Sequence, residues 1–170
     1  MSSLADVFAA INRLRESTVI EDYAVGGATA VLFYAEPART YDVDVFVVIR
    51  PDRERGLASL AAIDEWARRE GYEAQAEHIL IDGVPVQFLP AYTPLVEESV
   101  REAQDLTYGS TSVRVVGPEH LIALALQAGG AKRRERAYQL LEAGGVDRVR
   151  LRDILARHAL SEAIVDDDAR

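Results

Sequence analysis

No cysteine occurs among the 170 residues, which excludes disulfides, thiolate metal sites and cysteine nucleophiles and fits a reducing cytosol. Long hydrophobic runs are missing too. The longest apolar stretches are strand-length, so nothing reads as a membrane span. The opening Met1-Ser2-Ser3-Leu4-Ala5-Asp6-Val7 has neither a basic region nor an apolar core, so no secretory signal is legible and the expected location is cytoplasmic. Positive charge is scarce: 19 Lys+Arg against 28 Asp+Glu give a formal net charge of −9. Such a field repels nucleic acid and acidic membranes at long range, so any polyanion has to be met by a local basic patch. Lysine is scarcest of all, with Lys132 the only one in the chain. What is present, 49% apolar and 28% charged residues, describes one soluble domain with a sizeable core.

Leu4, Val7, Phe8, Ile11 and Leu14 recur at helical spacing behind Ser2 and Ser3, which cap the orphan amides of a first helix. Tyr23-Ala24-Val25 runs into Gly26-Gly27, and Ala28 to Tyr34 reads as a helix starting at the glycines and closed by Pro37. Val43 to Ile49 is the β-branched and aromatic pattern of a strand buried on both faces, with Asp42 and Asp44 at its head. An amphipathic helix is expected from Asp52 to Glu70, with Leu57, Leu60, Ile63, Trp66 and Ala67 near one stripe and Gly71 ending it. Glu73 to Ile81 and Val84 to Leu89 read as strands joined by Asp82-Gly83, a hairpin signal. A two-residue turn pairs Ile81 with Val84, Ile79 with Val86 and His78 with Gln87, leaving one apolar face and one that carries His78 and Gln87. Pro94 to Gln104 reads as helix, Ser112 to Val116 as a short edge strand, and Pro118 as the first position of a helix. Helix continues to Leu160 with breaks at Gly129-Gly130 and Gly144-Gly145, and Val165 to Arg170 reads as a frayed acidic tail.

Chemistry concentrates between Gly26 and Phe46. A diglycine after a strand lets backbone approach a ligand, and a helix starting there points N–H groups at an anion such as a triphosphate. Asp42 and Asp44, two apart on a strand, project from the same face, close enough to share one or two divalent ions. Two Mg²⁺ ions about 4 Å apart activate an attacking hydroxyl and stabilise a pyrophosphate leaving group. The bland alternative makes the aspartates a turn residue and an ion pair with Arg39 or Arg50, and makes Gly26-Gly27 an ordinary turn. His78, His120 and His158 lie far apart with no cysteine, which speaks against zinc. No Gly-x-Ser-x-Gly elbow, Walker A loop or dinucleotide glycine pattern occurs.

The string Gly26-Gly27, helix, Arg39-Thr40-Tyr41-Asp42-Val43-Asp44 resembles the DNA polymerase beta-like nucleotidyltransferase superfamily, most closely its bacterial abortive-infection (AbiEii-type) toxin-like members. Val84-Pro85-Val86-Gln87-Phe88-Leu89, Pro118-Glu119-His120-Leu121-Ile122-Ala123 and Ala131-Lys132 extend the likeness over Tyr23 to Leu160. The resemblance implies an α/β nucleotidyltransferase fold: a short twisted mixed sheet flanked by helices, with a C-terminal helical subdomain. On this division, residues 1–116 form the α/β core, 117–163 the helical subdomain and 164–170 an acidic tail. It further implies that Gly26, Gly27, Thr29 and Lys132 contact nucleotide phosphates, and that Asp42 and Asp44 are catalytic and hold Mg²⁺. The partner is then a nucleoside triphosphate. The acceptor stays open between an RNA end and a protein hydroxyl.

Three positions depart from the family pattern. Gln87 stands where many catalytic members have a third carboxylate, Ala125 where many toxin-like members have a lysine, and Arg133 where they have an aspartate. An amide supplies neither charge nor a general base. His78, expected beside Gln87, either replaces that base or is one half of a solvent-facing pair. The run Lys132-Arg133-Arg134-Glu135-Arg136, with Arg148, Arg150, Arg152 and Arg157, either approaches a triphosphate or an RNA end or forms the polar face of packed helices. Two functions therefore stand: metal-dependent transfer of a nucleotidyl group to a hydroxyl with release of pyrophosphate, or a catalytically weak or inactive binding module, in a toxin–antitoxin type system.

Overall fold

The computed structural model describes residues 3–36, 40–50 and 59–167. Helix α1 (Leu4–Glu16) starts at Ser3, whose side chain accepts from the Asp6 amide while Asp6 accepts from the Ser3 backbone, a reciprocal capping box. Strand β1 (Asp22–Val25) leads through Gly26 into α2 (Gly27–Val31), one short turn of helix rather than a helix running to Tyr34. Strand β2 (Val43–Val48) follows, then α3 (Ala61–Glu70), which ends at the left-handed Gly71 as expected. The expected helical residues Asp52 to Ala58, Leu57 among them, lie outside the described residues, as do Ser2, Pro37 and Arg39.

The run expected as one strand from Glu73 is two, β3 (Glu73–Gln75) and β4 (His78–Ile81), because the chain turns at Ala76 with φ of 54°. Strand β5 (Val84–Pro90) closes the hairpin over Asp82-Gly83, with Ile81 opposite Val84 and Ile79 opposite Val86. Helix α4 (Pro94–Arg101) is shorter than expected, since Gln104 already begins strand β6 (Gln104–Tyr108). Strand β7 (Thr111–Val115) is therefore not an edge. It pairs with β1 and β6, and β6 takes the edge. Helices α5 (Pro118–Ala128), α6 (Ala131–Glu142) and α7 (Arg148–Arg157) break at both diglycines as expected. The last described turns form α8 (Ala163–Asp167), where Ile164 and Val165 are buried, so Val165 belongs to a packed helix and not to a frayed end.

The seven strands form one mixed sheet in the order β3-β4-β5-β2-β1-β7-β6, with β2–β5 and β1–β7 parallel. Alternation along β2 buries Val43, Val45 and Val47 on one face and leaves Asp44, Phe46 and Val48 half-buried on the other. The double-sided burial expected of this strand is thus single-sided. Tyr23, in register with Val47, donates its hydroxyl to Asn12 of α1 on the closed face. On the opposite face Arg114 of β7 reaches the Val100 carbonyl of α4. Among the described residues no helix is long and apolar enough to cross a membrane.

Candidate active site

The half-buried face of β2 is the floor of a cleft of about 1050 Å³. Phe46 and Leu89, paired across β2 and β5, lie in its floor. Thr93 and Val96 of α4 line one side, Leu121, Leu124, Ala125 and Gln127 of α5 another, and Lys132, Arg133 and Arg136 project from α6. Gly27, Asp42 and Asp44 also line it, with Ala28 and the Ala128–Ala131 turn.

Local geometry explains the diglycine. Gly27 has φ of 57°, and a Cβ there would overlap the Asp44 carboxylate. A Cβ on Gly26 would overlap the Phe46 ring. Any side chain at these positions would displace the floor of the cleft. The Gly26 amide also donates to the Asp44 carbonyl at 2.9 Å. Thr29 is buried, and its hydroxyl donates at 2.9 Å to the Asp42 carbonyl, which also accepts from the Thr40 hydroxyl at 2.8 Å. Thr29, expected at a phosphate, therefore fixes the backbone that carries the aspartates, and it is absent from the cleft lining.

Burial pushes the Asp44 carboxyl up, and the charge of Asp42 adds to the rise, while Arg136, His78 and Arg133 oppose it. A carboxylate pair in this state favours a cation, and hard oxygen donors suit Mg²⁺, which typically takes one or two protein carboxylates and completes its shell with phosphate and water. The donor set therefore fits a divalent ion. The ion-pair alternative fails for Arg50, which lies 3.9 Å from Glu21 instead; Arg39 is outside the described residues. Gln87 is in register with Asp44 on the neighbouring strand. His78 brings Nε2 to 3.8 Å from Asp42 Oδ2. Both expected accessory residues thus sit beside the aspartate pair, although neither lines the main cleft.

The α6 cations differ from those of α7. Lys132, Arg134 and Arg136 form no salt bridge among the described residues, and Arg133 reaches only the Gly129 carbonyl at 3.4 Å. On α7, Arg150 pairs with Glu102, Arg152 with Asp166 and Arg157 with Glu98. Glu98 is the hub of a second polar cluster that sequence distance conceals. Its carboxylate meets His120 at 3.0 Å, His158 at 2.9 Å and Arg157 at 2.8 Å. Burial works against its charge, but these hydrogen bonds, led by that from Arg157, outweigh it and hold the carboxyl down to about 2. Glu98, Glu102 and His120 have ligand atoms close enough for a metal. Their charges are already matched by Arg157 and Arg150, so the cluster ties α4, α5 and α7 together.

No family model and no curated protein matches the sequence. Solved structures do match its shape. A nucleotidyltransferase-like antigenic protein from Paracoccidioides brasiliensis superposes with a TM-score of 0.59 at 16% identity, over 82% of this chain and 74% of that one. The antibiotic-resistance factor ANT(2'')-Ia, in complex with adenylyl-2''-tobramycin, superposes with a TM-score of 0.59 at 12% identity, over 99% of this chain and 100% of that one. Its solution structure gives 0.57 at 14% identity, over 92% and 91%. A mixed sheet flanked by helices, with an aspartate pair and a diglycine at one cleft, thus has the nucleotidyltransferase fold.

Proposed function

We propose that this protein transfers a nucleotidyl group from a nucleoside triphosphate to a hydroxyl acceptor, releases pyrophosphate and uses Mg²⁺. The observation that supports it is the juxtaposition in one cleft of a cation-seeking pair, Asp42 and Asp44, with three cations, Lys132, Arg133 and Arg136, that form no salt bridge among the described residues. When bound, Mg²⁺ supplies Lewis-acid activation of the phosphoryl centre. The chain's residues do the positioning. Asp42 and Asp44 hold the ion, the bare Cα of Gly27 admits the Asp44 carboxylate, and Thr29 and Thr40 fix Asp42 from behind. Lys132, Arg133 and Arg136 neutralise the triphosphate and the charge that grows on the departing pyrophosphate. Phe46, Leu89 and Leu121 offer the nucleoside an apolar wall. Gln87 accepts no proton, so His78 is the group beside Asp42 able to take the acceptor's hydroxyl proton.

In this reading the cleft lies between the 1–116 core, which carries the metal pair, and the 117–163 helices, which carry the cations, while α8 packs Ile164 and Val165 into the core. The Arg39 to Asp44 string supports kinship with abortive-infection type proteins and a toxin–antitoxin setting. One observation favours a second reading, a binding module without turnover: Ala125 and Arg133 both line the cleft in place of the family's lysine and aspartate. Incubation with α-labelled triphosphates, Mg²⁺ and cell extract separates the two. Labelled product together with pyrophosphate supports transfer. Mg²⁺-dependent nucleotide binding without either supports the module, and absence of binding refutes both.

A further inference from the structure

We propose that this cleft takes one divalent ion with its triphosphate, not two, and that Gln87 sets the number; the proposal rests on the nucleotidyl-transfer reading above. The supply of anionic oxygen carries it. Asp42 and Asp44 are the only acids among the described lining residues. Two such carboxylates balance one divalent cation, and a second ion about 4 Å away, repelled by the first, needs a further anionic ligand.

Strand pairing shows which side chain stands where that ligand could come from. Strands β2 and β5 run parallel, with Asp44 opposite Gln87 and Phe46 opposite Leu89. Phe46 and Leu89 both line the cleft, and residues two apart on a strand share a face, so Gln87 lies on the same face as Asp44, one strand spacing of about 4.8 Å away. Its amide oxygen is neutral. It can complete the shell of one ion but cannot balance the charge of a second. His78 does not fill the gap: its Nε2 is 3.8 Å from Asp42 Oδ2, and among the described residues only Glu98, Glu102 and His120 bring three carboxylate or imidazole ligand atoms within 4.8 Å of one another.

Cations already stand where a second ion would act. Arg136 and Arg133 act on the Asp44 carboxyl from α6, and with Lys132 they line the cleft. Their assignment to the triphosphate and pyrophosphate leaves a second ion with little charge to neutralise. A carboxylate at position 87 would reverse this balance beside Asp44.

The probe is Mn²⁺, which accepts the oxygen donors that suit Mg²⁺ and is counted by electron paramagnetic resonance. The whole chain is saturated with a non-hydrolysable α,β-methylene triphosphate and titrated with Mn²⁺, with nucleotide alone as the reference. The expected result is one nucleotide-dependent Mn²⁺ per chain in the wild type and in Gln87→Ala, with no spin coupling between ions. Gln87→Asp should admit a second Mn²⁺ at least about tenfold more tightly than the wild type and show the coupling of two ions roughly 4 Å apart. A coupled pair in the wild type overturns the proposal, and that count decides even if a variant does not fold. A second ion in Gln87→Ala, or a single ion in a folded Gln87→Asp, overturns the role of Gln87. No nucleotide-dependent Mn²⁺ binding at all overturns the underlying reading instead.

Discussion

Helices α6 and α7 use the same kind of residue to different ends. Along α7, three arginines are matched by carboxylates of α4, its C-terminal cap and α8: Arg157 with Glu98, Arg150 with Glu102, Arg152 with Asp166. Along α6, Lys132 and Arg136 line the cleft without such partners among the described residues, where Arg133 reaches only a carbonyl. A matched cation is part of the fold, and an unmatched one beside a cleft is available to a ligand. The contrast teaches that a basic run is read by its partners and not by its composition, since surface pairs alone contribute little.

Changes at the acidic end of the cleft should have the largest effect. Asp44→Asn should cut Mg²⁺-dependent transfer on the order of 10²-fold or more, yet leave the fold intact. Because burial and Asp42 hold the Asp44 carboxyl above its ordinary value, its ionised form opposes folding near neutral pH. The same variant should therefore melt roughly 2 °C higher, checked by calorimetry beside the activity assay. Gly27→Ala should lose activity for another reason, since it combines a strained positive φ with overlap on Asp44, and should cost on the order of 1–3 kcal/mol by urea denaturation.

The two helices should then part company. Glu98→Ala leaves Arg157, His120 and His158 without their carboxylate and should destabilise by about 3 kcal/mol, with little change in nucleotide affinity in the folded protein. Lys132→Ala should leave the denaturation midpoint within experimental scatter and weaken nucleotide binding about tenfold, as expected for loss of one charge-assisted contact. If Lys132→Ala lowers stability as Glu98→Ala does, the contrast between the helices is broken.

Acid sharpens the comparison with a smaller effect. Glu98 is held down to about 2 from an ordinary 4.5, so its contribution to stability is complete above that ordinary value and is lost as pH falls toward 2. Thermal melts between pH 5 and 2 should show this decline in the wild type and a shallower one in Glu98→Ala.

Where the sequence carried its signals locally, it was legible. The Asp82-Gly83 turn set the register of β4 and β5, glycines marked the ends of α3, α5 and α6, and Asp42 and Asp44 stood close to the glycines whose missing Cβ atoms make room in the cleft. Strand β6 was not legible, because its residues are exposed or half-exposed and show no apolar alternation. With β6 hidden, β7 took on the character of an edge. The roles of Thr29 and Glu98 were equally hidden: one depends on a carbonyl 13 residues away and the other on histidine and arginine contacts 22 to 60 residues away. Arg133 reads in sequence as a departure from the motif, yet it lines the same cleft as Asp44, and its charge acts on that carboxyl.

The most direct measurement is a calorimetric titration with nucleoside triphosphate, with and without Mg²⁺, of the wild type and of Lys132→Ala/Arg136→Ala. Binding that requires Mg²⁺ in the wild type and weakens about 10²-fold in an equally stable double variant is the expected result. Equal binding by both proteins, or no binding by the wild type, would contradict a nucleotide site built from the β2 carboxylates and the α6 cations.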